Sequence, residues 1–236
     1  MTTEFPIIKT ERLLLREFVD TDLENVFKGL SHPDIIKYYG VSYDSLEATK
    51  AQMKFFADLE TEGTGIWWAI CSLDGKLFYG AGGLNSLSKE HKKAEIGFWL
   101  ISDYWGQGIM TEAMPLICKY GFDKLNLHRI EGIVETENIN CKKAMAKLDF
   151  THEGTMIECE VKNGKFINLD MYAKHRGTKI ILSEVHNPQV IKELQDARLL
   201  FAIGKANVTS NFKDALSRSI VLLQDTDANK NIPLAD

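Results

Sequence analysis

The chain lacks the features that would take it into a membrane, a disulfide framework or a nucleic-acid complex. No apolar run approaches the ~20 residues that a membrane-spanning helix needs; stretches such as 69–71 and 220–223 are short. It is therefore expected not to cross a bilayer. The opening MTTEFP has no basic start and leads into no apolar segment, so no export signal is expected and the expected compartment is the cytoplasm. Cysteine is sparse. The four, at 71, 118, 141 and 159, have spacings that match neither a paired metal-ligand motif nor a disulfide scaffold, so free thiols and no metal site are expected. Basic residues are not in excess: 28 Lys and Arg face 33 Asp and Glu, a net charge of −5, which speaks against nucleic acid as a primary partner. What remains is ordinary composition, 44% hydrophobic and 26% charged, enough for one sizeable folded domain with an appendage.

The periodicity is mixed α and β. Residues 7–18 read as a strand, with Leu13 and Leu15 alternating against Arg12 and Arg16. Thr21 with Glu24 offers a capping box for a first helix, Pro33 suits the first turn of a short one, and Asp44 with Glu47 repeats the capping signal before a helix to about Glu62. Residues 66–73 and 77–84 flank Asp74-Gly75 as a hairpin, and a strand at 94–101 follows. A helix is predicted over 109–124, a β-branched strand over 128–135 and a helix over 138–148. A second hairpin, 155–161 with 165–173, turns at Asn163-Gly164. Beyond Lys174 the pattern becomes purely helical. One helix opens at Asn187-Pro188, carries Val190, Leu194, Ala197 and Phe201 and ends at Gly204. A second is capped by Ser210, with Phe212, Ala215, Leu216, Ser219 and Leu223 as its stripe, and the tail 225–236 is expected to be loose.

The chemistry concentrates in AEIGFWLISDYWGQGIMTEA, residues 94–113. A strand feeding a glycine loop and then a helix leaves the N–H groups of Gly108, Ile109, Met110 and Thr111 without helical acceptors, with the helix dipole behind them. Gly106 and Gly108 let an anion approach the main chain, and a diphosphate is the natural guest. No Gly-Lys-Ser/Thr closes the turn, and Thr111 stands where a dinucleotide fingerprint has its third glycine, so both of those readings weaken. The segment resembles the acetyl-CoA-binding motif of the GNAT N-acetyltransferase superfamily, most closely its RimJ/RimL-type branch, where a strand is followed by Trp-Gly-x-Gly and Thr-Glu-Ala. TERLLLREF at 10–18, RIEGIVETENINCKKAMAKLDFTHEG at 129–154 and NGKFINLDMYA at 163–173 fall in the same family order.

The resemblance implies an α/β (α+β mixed sheet) fold, the GNAT acyl-CoA N-acyltransferase fold, over residues 7–174, with 175–236 as a C-terminal helical hairpin and loose tail. It implies acetyl-CoA as cosubstrate, laid where the strands at 94–101 and 128–135 splay apart. Pantetheine would run beside Leu100, Ile101 and Ser102. The pyrophosphate would sit on Gly106, Gln107, Gly108, Ile109, Met110 and Thr111, and Asn138 would bond the cofactor or cap its helix. Lys142 and Lys143 are candidates for the 3′-phosphate. Trp105 and Met110 depart from the wider superfamily pattern, which leaves the cradle to main-chain rather than side-chain contacts. Asp149 replaces the usual Gly, and an Asp tolerates the left-handed turn. Asn168 stands where the branch often has Asp, with Asp170 two places on along the strand.

Acetyl transfer to an amine needs a neutral amine, a stabilised oxyanion and a departing thiolate. An α-amine of pKa near ~8 is about a tenth neutral at pH 7, and a lysine far less, so an α-amine needs the weaker base. Glu95 on the cofactor strand is the candidate base, ahead of Glu112, which already gains from the helix dipole. A backbone N–H near Ile101 is the expected oxyanion donor. Tyr172 and Cys141 are candidate acids, although a first helical turn is expected to lower the Cys141 pKa. His128 and His152 are expected to be structural. The expected function is acetylation of a protein N-terminal α-amine, in the manner of ribosomal-protein-alanine acetyltransferases. The alternatives are a small amine (polyamine or antibiotic) as acceptor, or a non-catalytic acyl-CoA-binding regulatory protein. A homodimer is one way to cover the C-terminal apolar stripes.

Overall fold

The structure is a computed structural model that describes residues 4–177, 182–196 and 207–228. The chain divides into two compact units between Arg176 and Gly177. The first unit is built on one eight-stranded sheet in the order β1-β2-β3-β4-β5-β6-β8-β7. The strands are β1 (Ile8–Lys9), β2 (Leu13–Arg16), β3 (Ile66–Ser72), β4 (Phe78–Ser88), β5 (Lys93–Leu100), β6 (Arg129–Glu135), β7 (Thr151–Lys162) and β8 (Lys165–His175). Its helices are α1 (Leu23–Leu30), α2 (Pro33–Ile36), α3 (Leu46–Glu62), α4 (Ile109–Asp123) and α5 (Ile139–Lys147).

Alternation along the strands supplies two cores. Trp68, Ile70, Leu84, Ile96 and Ile130 pack with Ile109, Met114 and Ile117 of α4 on one face. Trp67, Ala69, Ala81 and Trp99 pack with Val26 and Leu30 of α1 and Phe56 and Leu59 of α3 on the other. Side chains of successive strand residues point to opposite faces, so the neighbours Trp67 and Trp68 serve different layers.

Only one neighbouring pair of the sheet is parallel. β5 meets β6 over three residues, Lys93 to Glu95 against Arg129 to Glu131. β5 nevertheless stays paired with β4 as far as Leu100, and β6 stays paired with β8 to Glu135. The two strands therefore part beyond Glu95, and the splay implied by the resemblance is present.

The local signals held where one residue's backbone preference decides the turn. Asn163 and Gly164 take φ of 51° and 75° at the β7–β8 turn, and Asp149 takes 57° after α5. Several boundaries differ from expectation. The strand expected over 7–18 breaks in two, because Thr10 turns the chain: its N–H donates to the Leu13 carbonyl (2.9 Å) and its hydroxyl accepts from the Leu13 N–H (2.8 Å). The Thr21–Glu24 capping box does not form. Asp22 precedes α1 instead, accepting from the Val19 N–H at 2.9 Å. Ser45 rather than Asp44 caps α3, because Ser45 holds the extended backbone that aims its hydroxyl at the Ala48 N–H.

In the second unit, α6 (Pro188–Asp196) follows Asn187, whose side chain accepts from the Gln189 N–H at 2.8 Å. α7 (Phe212–Ala228) is capped by Asn211 rather than Ser210. Leu182 and Val208 form a parallel bridge. Helix α7 runs through residues 225–228, where a loose tail was expected. Ala197, Phe201, Gly204 and residues 229–236 lie outside the described residues. Among the described residues no helix is long and apolar enough to cross a membrane.

Candidate active site

The parting of β5 and β6 opens a cavity of about 970 Å³. Its walls are the facing edges of the two strands, the start of α5, the loop into α4, and the α2–α3 segment. The Ile101 N–H donates to the Tyr79 carbonyl at 2.9 Å, so that residue's main chain points to β4. Main-chain direction alternates in an antiparallel ladder, and the N–H and C=O groups of Phe98 and Leu100 therefore point into the gap. Of the main-chain N–H groups near Ile101, where the oxyanion donor is expected, the one of Ile101 itself is not available. Its N–H is already spent, its side chain is buried in the α1–α3 core, and its carbonyl accepts from the Tyr104 N–H. Trp105 Nε1 donates to the Leu100 carbonyl at 3.0 Å, which gives this residue a place in the site beyond its departure from the family pattern.

At the mouth of the gap the chain makes a short helical turn, 102–104, and then passes Gly106 and Gly108, both left-handed at φ of 73° and 76°. A Cβ at Gly106 would meet nothing within 4 Å. Glycine is needed there for its backbone angle rather than for space. The main-chain N–H groups of residues 106–111 have no acceptor among the described residues; the next one, of Glu112, donates to the Gly108 carbonyl at 3.1 Å. Six amides without acceptors thus stand at the positive end of a 15-residue helix, an arrangement suited to an anion. Ser102 closes the turn by accepting from the Trp105 N–H, and the Gln107 side chain donates to the Asp103 carbonyl.

Asn138 caps α5, accepting from the Cys141 N–H at 3.0 Å. Cys141 lines the cavity, and here the expectation is reversed: burial pushes its thiol up to about 11. Desolvation outweighs the helix terminus, so the thiol keeps its proton at neutral pH. Alkylation at pH 7.5 is therefore expected to label exposed Cys159 first and Cys141 only at higher pH, followed by mass mapping; equal labelling at neutral pH would contradict the burial argument. Lys142 is committed elsewhere, 2.7 Å from buried Asp170, which also accepts from Thr155 and lies 3.3 Å from His152. That pairing removes Lys142 from phosphate binding. Lys143 is exposed and does not line the cavity. Tyr172 is buried beside His152, its pKa raised by burial, and is not among the cavity-lining residues. Asn168 is used structurally, accepting from the Glu158 N–H at 2.7 Å. Among the described residues no cluster of His, Cys, Asp or Glu could hold a metal ion.

Glu95 is the last residue at which β5 and β6 still pair, and it lines the cavity where they part. Its carboxylate has no hydrogen-bond or ion-pair partner among the described residues. Burial, then Glu131 and Glu160, hold its pKa above the ordinary carboxylate range. Lining the same cavity are residues that sequence patterning did not show: Tyr38, Tyr39, Tyr43, Gln52, Trp67 and Asn85, the last the cross-strand neighbour of Glu95. Burial raises the Tyr39 pKa, and Glu95 adds to the effect. The Tyr43 hydroxyl donates to Gln52 at 3.0 Å. Trp67 lies flat because Gly83 and Gly97 leave room for it; a Cβ at either would stand 2.3 Å and 2.6 Å from the indole. These residues come from four separate segments, so no local spacing links them.

Residues 12–151 match the family described as the acetyltransferase (GNAT) domain. The chain belongs to the GNAT acetyltransferases. It is 34% identical over 170 residues to the uncharacterized N-acetyltransferase YoaA of Bacillus subtilis, covering 72% of this chain and 96% of that one. A shorter match, 33% identical over 85 residues, joins 36% of this chain to 46% of the spermidine N(1)-acetyltransferase of Escherichia coli. RimL, the ribosomal L7/L12 alpha-N-protein acetyltransferase solved with coenzyme A, shares the fold at a TM-score of 0.65 and 22% identity, over 72% of this chain and 97% of RimL. The protein is accordingly a GNAT-type N-acetyltransferase with a mixed α/β sheet, and the enzymes of this family use acetyl-CoA. The residues present fit that cosubstrate: free amides at a left-handed glycine turn suit its diphosphate, and the unpaired main chain of Phe98 with the Leu100 N–H suits pantetheine amides.

Proposed function

We propose that the enzyme transfers the acetyl group of acetyl-CoA to the N-terminal α-amine of a protein. The observation that carries this reading is Glu95: an unpartnered, half-buried carboxylate with a raised pKa, placed where the two strands part. A carboxylate of this kind suits an α-amine, whose ordinary pKa near ~8 asks little of a base, better than a lysine side chain near ~10.4.

In this reading Glu95 accepts the ammonium proton, directly or through one water, and the Leu100 or Phe98 N–H meets the carbonyl oxygen as charge develops on it. Asn138 and the amides of residues 106–111 hold the carrier. The thioester supplies an activated acetyl group and a thiol leaving group; the chain supplies orientation, the base and an apolar wall that excludes water. The protonated Cys141 thiol stands on the cavity wall beside them, and Tyr172 acts through packing. A second reading, a small cationic amine, is favoured by the acidic lining, where Asp34 and Glu95 both face the cavity.

The deciding experiment offers acetyl-CoA with alanyl and seryl peptides in one arm and spermidine in the other, following thiol release and product mass. Acetylation of peptide α-amines is the expected result. Turnover of spermidine with none of the peptides would replace the first reading by the second. Binding of acetyl-CoA with no turnover of any amine would leave a non-catalytic acyl-CoA-binding protein.

A further inference from the structure

The anion cradle has a carboxylate beside it. Glu112 occupies the first turn of α4, directly after the free amides of residues 106–111. Left as a bare charge it would repel a diphosphate received by those amides, since like charges close to one another oppose binding. The turn between β1 and β2, about a hundred residues earlier, answers this charge. The Arg12 Nε pairs with Glu112 Oε2, and the Thr10 hydroxyl donates to Glu112 Oε1. The same guanidinium reaches the loop itself: Nη1 donates to the Gln107 carbonyl at 3.1 Å, and Nη2 lies 3.4 Å from where a Gly108 Cβ would stand. No hydrogen bond engages Nη2 among the described residues. Trp105 and Met110, at the positions where the wider family pattern varies, bring no positive charge to this loop.

We propose that Arg12 is a positioning residue for the acyl carrier's diphosphate, neutralising Glu112 and anchoring the Gln107 carbonyl so that the amides of residues 106–111 face the anion. Its role rests on the acetyl-CoA reading given above. The carbonyl contact fixes the Gln107–Gly108 peptide plane, and that plane decides where the Gly108 N–H points. The ion pair turns a repulsive carboxylate into a neutral brace, with Thr10 holding its second oxygen. Arg12 is half exposed, so its replacement removes a tether without opening the core.

The test measures calorimetric dissociation constants for CoA and for 3′-dephospho-CoA with the native chain, Arg12→Ala, Glu112→Gln and the double variant, with thermal unfolding confirming the fold of each. Arg12→Ala is expected to weaken CoA binding on the order of tenfold, and 3′-dephospho-CoA by the same factor, because the diphosphate is common to both. Glu112→Gln in the Arg12→Ala background is expected to recover the part of that loss due to the bare Glu112 charge but not the part due to the lost Gln107 tether, a partial rescue that a purely structural role for Arg12 would not produce. Binding of Arg12→Ala within about twofold of native would overturn the proposal. So would a double variant no better than Arg12→Ala, or a loss confined to CoA, which would assign Arg12 to the 3′-phosphate. A native chain that binds neither compound would remove the acetyl-CoA reading and the proposal with it, so the two failures are told apart by the native measurement.

Discussion

Glu95→Gln is expected to lower kcat for amine acetylation by about a hundredfold or more while leaving the KM for acetyl-CoA near its native value. The size follows from the role: the amide keeps the shape of the carboxylate but exchanges one acceptor oxygen for a donor and cannot take a proton. The pH dependence supplies the sharper check. Burial and the neighbouring Glu131 and Glu160 raise the Glu95 pKa, so the native rate should fall on the acid side at a pH above the ordinary carboxylate range, as the base becomes protonated. The glutamine variant should lose that limb and keep only the limb due to the amine. Stability should move the other way. A carboxyl whose folded pKa is raised penalises the fold once the pH exceeds the raised value, and that penalty is absent below the unfolded value. Glu95→Gln is therefore expected to unfold at the same or a higher temperature than native at neutral pH. An unchanged kcat would remove Glu95 from catalysis, and a lower melting temperature would contradict its description as an unpartnered charge.

The largest loss of stability is expected from Arg16→Ala. Asp22 is almost fully buried at the start of α1, and Arg16 holds both of its oxygens, at 2.7 Å and 2.8 Å. The Val19 N–H donates to the same carboxylate, so Arg16 and Asp22 together pin β2 to the turn that launches the helix layer over the cavity. Removing the arginine leaves a buried carboxylate without its cation, a change that costs about 3–5 kcal/mol in comparable settings. Replacing both residues by leucine avoids the stranded charge and is expected to cost clearly less. Urea unfolding of the native chain and the two variants measures the difference. A loss under about 1 kcal/mol for Arg16→Ala would mean that water reaches Asp22 and that the pair behaves as a surface contact.

Much of the fold was legible because its determinants are local. The Asp74-Gly75 and Asn163-Gly164 turns, the alternation of Leu13 and Leu15 against Arg12 and Arg16 in β2, and the glycine loop before α4 each depend on a few neighbouring residues. Helix caps were less legible. Thr21 and Asp22, Asp44 and Ser45, and Ser210 and Asn211 are adjacent residues that can each cap a helix, and the outcome turns on where the chain bends into the helix. The site divided along the same line. The run of amides without acceptors was readable in Trp-Gly-Gln-Gly, since main-chain groups need no partner from elsewhere. The state of Cys141 was not, because burial by surrounding segments outweighed the helix terminus that the sequence displays.

By itself, then, the sequence determined the order of elements, the glycine turn that leaves the amides of residues 106–111 without acceptors, and the family to which they point, all properties of contiguous chain. Tertiary structure alone decided that Glu95 stands unpartnered at the parting of β5 and β6, that Tyr39 and Trp67 line the same cavity, that Lys142 is spent on Asp170, and that Arg12 reaches Glu112. The physical reason is that charge pairing and desolvation depend on distance through space, and residues up to a hundred positions apart become neighbours only when the sheet closes.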